Sequence, residues 1–253
     1  MLRVLVVDDE MPARQRVKDL LADCSSKMPI EIVGEASNGI DALEFIESNE
    51  VDVMLLDIRM PEMDGIELAQ HLMKLPNPPA VIFTTAYHDF ALEAFEVHAV
   101  DYLLKPIRLG RLFNALSRAS TMRPIPLDML KAVSSGPRTH LSIQERGKIH
   151  LVPLSDIIYM KAELKYVALN TKEKTFLLEE SLSSLEEEFK EDFVRIHRNT
   201  LVAKKSIAGF EKDPSEEGGW KVVLEGRSEK LPISRRQQHI VKQYRVLQER
   251  DGR

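Results

Sequence analysis

At 253 residues, with 43% hydrophobic and 30% charged side chains, the chain is long enough for two domains that each bury a core. No apolar run approaches the roughly 18 residues that span a bilayer, the start MLRVLVVDDE turns acidic too early for a signal peptide, and the single cysteine, Cys24, excludes an intramolecular disulfide or a cysteine-based zinc site, so a cytoplasmic protein without a membrane partner is expected. The net charge of −5 is uneven: residues 1–120 hold 11 Lys+Arg against 20 Asp+Glu, residues 121–253 hold 24 against 20, and only the second half suits a phosphate polyanion.

Short apolar runs alternate with helical patterns through the first half. Strands are predicted at Leu2 to Val7, Glu31 to Glu35, Val51 to Leu56, Ala80 to Thr84 and Asp101 to Leu104. Helices are predicted at Met11 to Cys24, Gly39 to Asn49, Gly65 to Leu75, Asp89 to His98 and Leu109 to Ser120, with Pro12 suited to a first turn and Pro76 to Pro79 closing the third. Five such units imply an α/β domain with a doubly wound, five-stranded parallel sheet over residues 1–120. Residues 121–137, rich in Pro, Ser and Gly, read as a linker in which PLDMLKAV forms a brief helix.

From residue 138 to 253 the period shifts to strands: HLSIQE, KIHLVPL, DIIYMKA, KYVALNT, KTFLLEE, FVRIHRNTLVAK, IAGFEK, WKVVLEG and EKLPIS. One internal helix, SLSSLEEEF, and a closing one after Ile233 interrupt them. A helix-turn-helix has no home in this mostly β half, so any DNA contact must come from loops and strand ends.

In a doubly wound sheet, ligands bind at the carboxyl ends of the strands. Those ends carry Asp8, Asp9 and Glu10, then Asp57, then Thr84 and Thr85, then Lys105. Carboxylates without helpful His or Cys favour a hard cation such as magnesium, and a carboxylate beside it can take a phosphoryl group. The cation, the Lys105 ammonium and a threonine hydroxyl are placed to neutralise the charge on the transferred oxygens. Thr84 reads as a strand residue turned away, and Glu10 as a cap or a solvent-facing side chain.

VLVVDDE, LLDIRMPEMDG, FTTAY and DYLLKP together resemble the receiver domain of two-component response regulators, across residues 1–120. The resemblance implies a flavodoxin-like fold in which Asp57 is the phosphoacceptor, charged by a sensor histidine kinase. It also implies that Asp8 and Asp9 serve Mg2+ with Asp57 and the backbone carbonyl of Arg59, and that Lys105 pairs with the phosphate ahead of a cis Lys105–Pro106 bond. Thr85 and Tyr102 become the switch pair, though Tyr102 taken alone could be core. The resemblance further implies a domain that catalyses only its own phosphorylation and dephosphorylation, so no separate enzyme activity is expected. A phosphatase of the haloacid dehalogenase type also forms an aspartyl-phosphate, but Asp57-Ile58-Arg59 lacks the second acid of its Asp-x-Asp motif.

In the second half, basic residues cluster in FVRIHRNTLVAKK and ISRRQQ. Arginine offers a rigid fork for phosphate or guanine, which makes Arg198, Arg235 and Arg236 chemically apt. IIYMKAELKYVALNT, SLSSLEEEF, FVRIHRNTLVAKKSI and LPISRR resemble the LytTR DNA-binding domain. That resemblance implies DNA contacts from Lys165 or Tyr166, from Arg198 and from Arg235, with Lys204, Lys205 and Arg236 on phosphates. His197 reads as a structural histidine, and Tyr166 and Trp220, taken alone, as core aromatics. The resulting expectation is a phosphorylation-regulated transcription factor. Its phosphorylated receiver self-associates through its fourth and fifth helices, and the homodimer binds two half-sites of duplex DNA. An output domain that binds RNA or protein is the alternative.

Overall fold

The computed structural model describes residues 1–86, 100–120, 137–145, 148–213, 219–242 and 244. The chain divides into two compact units, Met1–Leu151 and Val152–Arg253. The expected helix at Asp89 to His98 and the brief helix in PLDMLKAV lie outside the described residues.

The first unit holds strands β1 (Leu2–Val7), β2 (Ile30–Ala36), β3 (Val53–Asp57), β4 (Ala80–Thr85) and β5 (Asp101–Leu104), all parallel, in the order β2-β1-β3-β4-β5. Helices α1 (Met11–Ser25), α2 (Gly39–Ser48), α3 (Gly65–Leu72) and α4 (Leu109–Ala119) flank it. Strand alternation sends Leu5, Val7, Met54, Leu56, Val81 and Phe83 into one core under α2 and α3. Val4, Val6, Val53, Leu55 and Ile82 fill a second core under α1 and α4. Both faces are covered, which is why these strands read as continuous apolar runs rather than alternating ones.

Local signals fix the helix starts. Pro12 occupies the first turn of α1, and the side chains of Asn38 and Asp64 accept N–H bonds from Asp41 and Glu67 to cap α2 and α3. α3 stops at Leu72 instead of Leu75: Lys74 and Leu75 donate to the carbonyls of His71 and Leu72, so the chain tightens before Pro76.

A two-stranded hairpin, β6 (His140–Glu145) and β7 (Lys148–Pro153), packs with the first unit up to Leu151. Ile149 and Leu151 join the core under α3. Buried Glu67 on α3 accepts N–H bonds from Thr139 at 2.7 Å and His140 at 2.9 Å.

The second unit is mostly β. β8 (Ile157–Glu163), β9 (Tyr166–Thr171), β10 (Thr175–Leu178), β11 (Phe193–His197) and β12 (Thr200–Ala203) form an antiparallel sheet ordered β10-β9-β8-β12-β11. β13 (Ile207–Lys212), β14 (Trp220–Leu224) and β15 (Lys230–Ile233) form a second antiparallel sheet. Ile158, Ile196 and Val202 of the first meet Val222, Leu224 and Ile233 of the second in one core. α5 (Leu182–Glu188), capped by Ser181, buries Leu182 and Leu185. The single stretch FVRIHRNTLVAK is two strands around a turn at Arg198 and Asn199.

Candidate functional site

The sheet order reverses beside β1 and β3, and this switch point opens a crevice at their carboxyl ends. Asp8 and Asp9 follow β1, and Asp57 ends β3. One carboxylate oxygen from each lies within 4.8 Å of the others. Asp8 and Asp57 are buried and Asp9 is exposed. The Lys105 ammonium reaches Asp8 Oδ2 at 2.7 Å and Asp57 Oδ1 at 3.2 Å. Burial pushes the Asp57 carboxyl up to about 6; Lys105 opposes the rise and the Asp8 charge adds to it. Burial pulls Lys105 down, but its bond to Asp8 and the Asp57 charge outweigh this, so it is held above its ordinary value.

The backbone around the pocket explains its sequence. Lys105 N–H donates to Thr85 O at 2.7 Å, and the Lys105–Pro106 bond is cis. Gly65 N–H donates to Ile58 O, and a Cβ at Gly65 would sit 2.0 Å from Asp57 O, so only glycine lets α3 start this close to the end of β3. Arg14, which the motif gave no reason to single out, donates to Asp8 O at 2.7 Å and holds the loop after β1. Glu10 is exposed at the N-cap position of α1; its side chain makes no cap bond, while its N–H donates to Asp8 Oδ1.

Strand register separates the two threonines. Asp57 pairs with Thr84, so these two share a face, whereas Thr85 shares the opposite face with Tyr102. Thr84 therefore does not turn away from the Asp57 side of the sheet, because parallel partners project together. Tyr102 is half-buried against the core under α3, and Arg59 is exposed.

In the second unit three separate segments converge. The tip between β8 and β9 carries Leu164 and Lys165, with Tyr166 opening β9. Leu164 is fully exposed with φ 56°, and Tyr166 is 38% exposed, so Tyr166 is not a core aromatic. The turn at Arg198 lies next to this ribbon: Ala162 N–H donates to Asn199 O at 2.8 Å. Ser234, just before Arg235 and Arg236, donates to Ile196 O at 2.9 Å. Ile196 sits at a register shift in β11, the edge strand of its sheet, and its carbonyl meets the third segment. Lys165, Arg198, Arg235 and Arg236 are all exposed.

The remaining candidates behave differently. Lys204 donates to Lys190 O at 2.9 Å, and Lys205 to Ser155 O. His197 Nδ1 faces Asn199 Oδ1, and the only cluster of metal-type ligands among the described residues is the aspartate one. Trp220 is half-buried against the core.

Family models for the response regulator receiver domain and the LytTr DNA-binding domain match residues 4–117 and 147–245. The positive alginate biosynthesis regulatory protein of Pseudomonas aeruginosa is 44% identical over 93% of this chain and 95% of its own. The sensory transduction protein LytT of Bacillus anthracis is 35% identical over the same shares, 93% and 95%. A solved structure, the response regulatory domain of protein mrkE from Klebsiella pneumoniae, is similar at 38% identity and TM-score 0.42, covering 47% of this chain and 96% of that one. With both domain types present in order and full-length relatives matched nearly end to end, the chain belongs to the response regulators that join a receiver domain to a LytTR DNA-binding domain.

Proposed function

We propose that Asp57 is the residue that carries the phosphoryl group and that the exposed edge formed by Lys165, Tyr166, Arg198, Arg235 and Arg236 reads duplex DNA, phosphorylation of the first tuning the second. The working division is a receiver over residues 1–120, a linker over 121–137 and an output domain over 138–253. Convergence of the Arg198 turn with both neighbouring segments, through the Ala162–Asn199 and Ser234–Ile196 bonds, is the observation that carries the DNA reading. Loops held together in this way can enter a groove jointly, and among the described residues of this unit no helix-turn-helix offers an alternative reader.

At the phosphoacceptor, an Asp57 carboxylate oxygen attacks the phosphorus of a phosphohistidine on a sensor kinase. The O–P bond forms, the P–N bond breaks, and the departing imidazole takes up a proton. Lys105 already bridges Asp8 and Asp57, and its ammonium can follow the charge onto the new phosphoryl oxygens. The clustered carboxylates of Asp8, Asp9 and Asp57 offer the oxygen-only donors that suit a magnesium ion, and the backbone carbonyl of Arg59 would complete the set. Bound there, Mg2+ would supply positive charge to the phosphoryl oxygens. Thr85 and Tyr102, on one face of the sheet, are the pair that would respond. Phosphorylation and its reversal would be the only covalent chemistry of the chain, and cytoplasmic residence follows from a chromosomal partner.

Lys204 and Lys205 remain candidates for phosphate contact if they release their carbonyls on binding. Self-association of the phosphorylated receiver would pair two output domains on adjacent half-sites and raise affinity without new contacts. The test is competition between duplex DNA and RNA of equal charge for the full chain. Preference for the duplex supports the reading; preference for RNA, or binding to neither, replaces it with an RNA-binding or protein-binding output.

A further inference from the structure

Beneath the turn that presents Arg198 lies a second arginine whose side chain is only 14% exposed. Arg195 Nε and Nη2 donate to Glu186 Oε2 at 2.9 and 2.8 Å, and Nη2 also faces Ser183 Oγ at 3.2 Å. Its remaining prong, Nη1, donates to the carbonyl of Arg198 at 2.9 Å. The next carbonyl, that of Asn199, accepts from Ala162 N–H at 2.8 Å. Both peptide oxygens of the turn are therefore pinned, one by Arg195, itself paired with the partly exposed Glu186 of α5, and one by the backbone of β8.

We propose that Arg195 is a positioning residue for DNA reading: braced by Glu186 and Ser183, it fixes the Arg198 carbonyl and with it the direction in which the Arg198 side chain leaves the turn. The inference rests on the reading of Arg198 as a DNA contact. Bidentate recognition of a base edge tolerates displacements of only about half an ångström, so a turn free to rock would lose selectivity before it lost attraction to phosphate. Only arginine fits the role. Its planar fork serves an acceptor on each side at fixed angles, whereas a lysine offers one point charge and a glutamine too few donors. Glu186 neutralises the guanidinium and α5 shields it, so Arg195 itself is poorly placed to meet a phosphate.

The experiment uses the full chain and a duplex selected by the wild type from a random-sequence pool, compared with a scrambled duplex of the same length. Dissociation constants are measured across a salt series for wild type, Arg195→Gln, Glu186→Gln, Arg198→Ala and the Arg195→Gln/Arg198→Ala pair, with thermal unfolding confirming that each is folded. Arg195→Gln is expected to weaken the selected duplex about tenfold and the scrambled one less than about twofold, with the salt slope unchanged. Glu186→Gln is expected to act in the same direction, more weakly, and provides the folded alternative if Arg195→Gln does not accumulate. On the Arg198→Ala background, Arg195→Gln should cost nothing further, because a positioning residue has no effect without the group it positions. Wild-type selectivity in Arg195→Gln, additive losses in the pair, or an equal loss on both duplexes with a salt slope reduced by about one would each overturn the proposal. Unchanged selectivity in Arg198→Ala would instead overturn the DNA reading of that turn, and the positioning role with it.

Discussion

The role proposed for Asp57 asks a carboxylate to shed water without surrendering its charge, and the neighbouring Lys105 ammonium favours the charged form that burial opposes. With the carboxyl raised from 3.8 to about 6, the unfolded chain gives up this proton first. Folding stability therefore falls as pH rises from 3.8 through about 6, and the penalty is complete above that. Asp57→Asn removes it. In metal-free buffer the variant is expected to gain up to roughly 2–3 kcal/mol over wild type above that window and nothing at its acid end, as read by urea unfolding across pH. A variant whose advantage does not grow with pH would contradict this electrostatic picture. Gly65 sets a steric limit at the same place. Gly65→Ala would drive a methyl group into Asp57 O and is expected to cost about 1–3 kcal/mol in the same assay.

At the scale of elements, Glu67 ties α3 to the chain entering β6. Burial would raise its carboxyl, but His71 and the N–H groups of His140 and Thr139 outweigh this and hold it below 4.5. The carboxylate therefore contributes stability above about 4.5, and this is lost as pH falls through the lower folded value. Glu67→Ala removes the acceptor of both amides and is expected to cost about 1–3 kcal/mol near neutral pH. It should also speed hydrogen exchange at Thr139 and His140; unchanged exchange there would show that the tie does not hold the segment. This link was not legible in the sequence, since Glu67 and His140 lie 73 positions apart and neither belongs to a motif. The central strands were legible: β1 occupies the apolar run that predicted it, because a strand buried on both faces is apolar throughout. The pocket could be read for the same reason, as a parallel sheet delivers its strand ends to one rim. Two features needed coordinates. The break of FVRIHRNTLVAK at Arg198 depends on which strands pair, and Thr84 shares the face of Asp57 because of register, which local pattern does not encode.

Across the whole molecule, the two halves carry opposite balances, net −9 over residues 1–120 and net +4 over residues 121–253. Attraction to DNA therefore belongs to the second half alone, and binding should weaken steeply with salt. Arg198→Ala is expected to cost about 1–3 kcal/mol on a preferred duplex and relax its sequence preference, because that side chain leaves a pinned turn at the centre of the edge. The central claim is that Asp57 controls what this edge does. It is tested most directly by titrating a preferred duplex with the full chain, wild type and Asp57→Asn, each with and without a small phosphodonor and Mg2+. The account predicts that the donor tightens wild-type binding and leaves Asp57→Asn unmoved, while both share the same affinity without it. Equal tightening of both proteins, or none in the phosphorylated wild type, would contradict it.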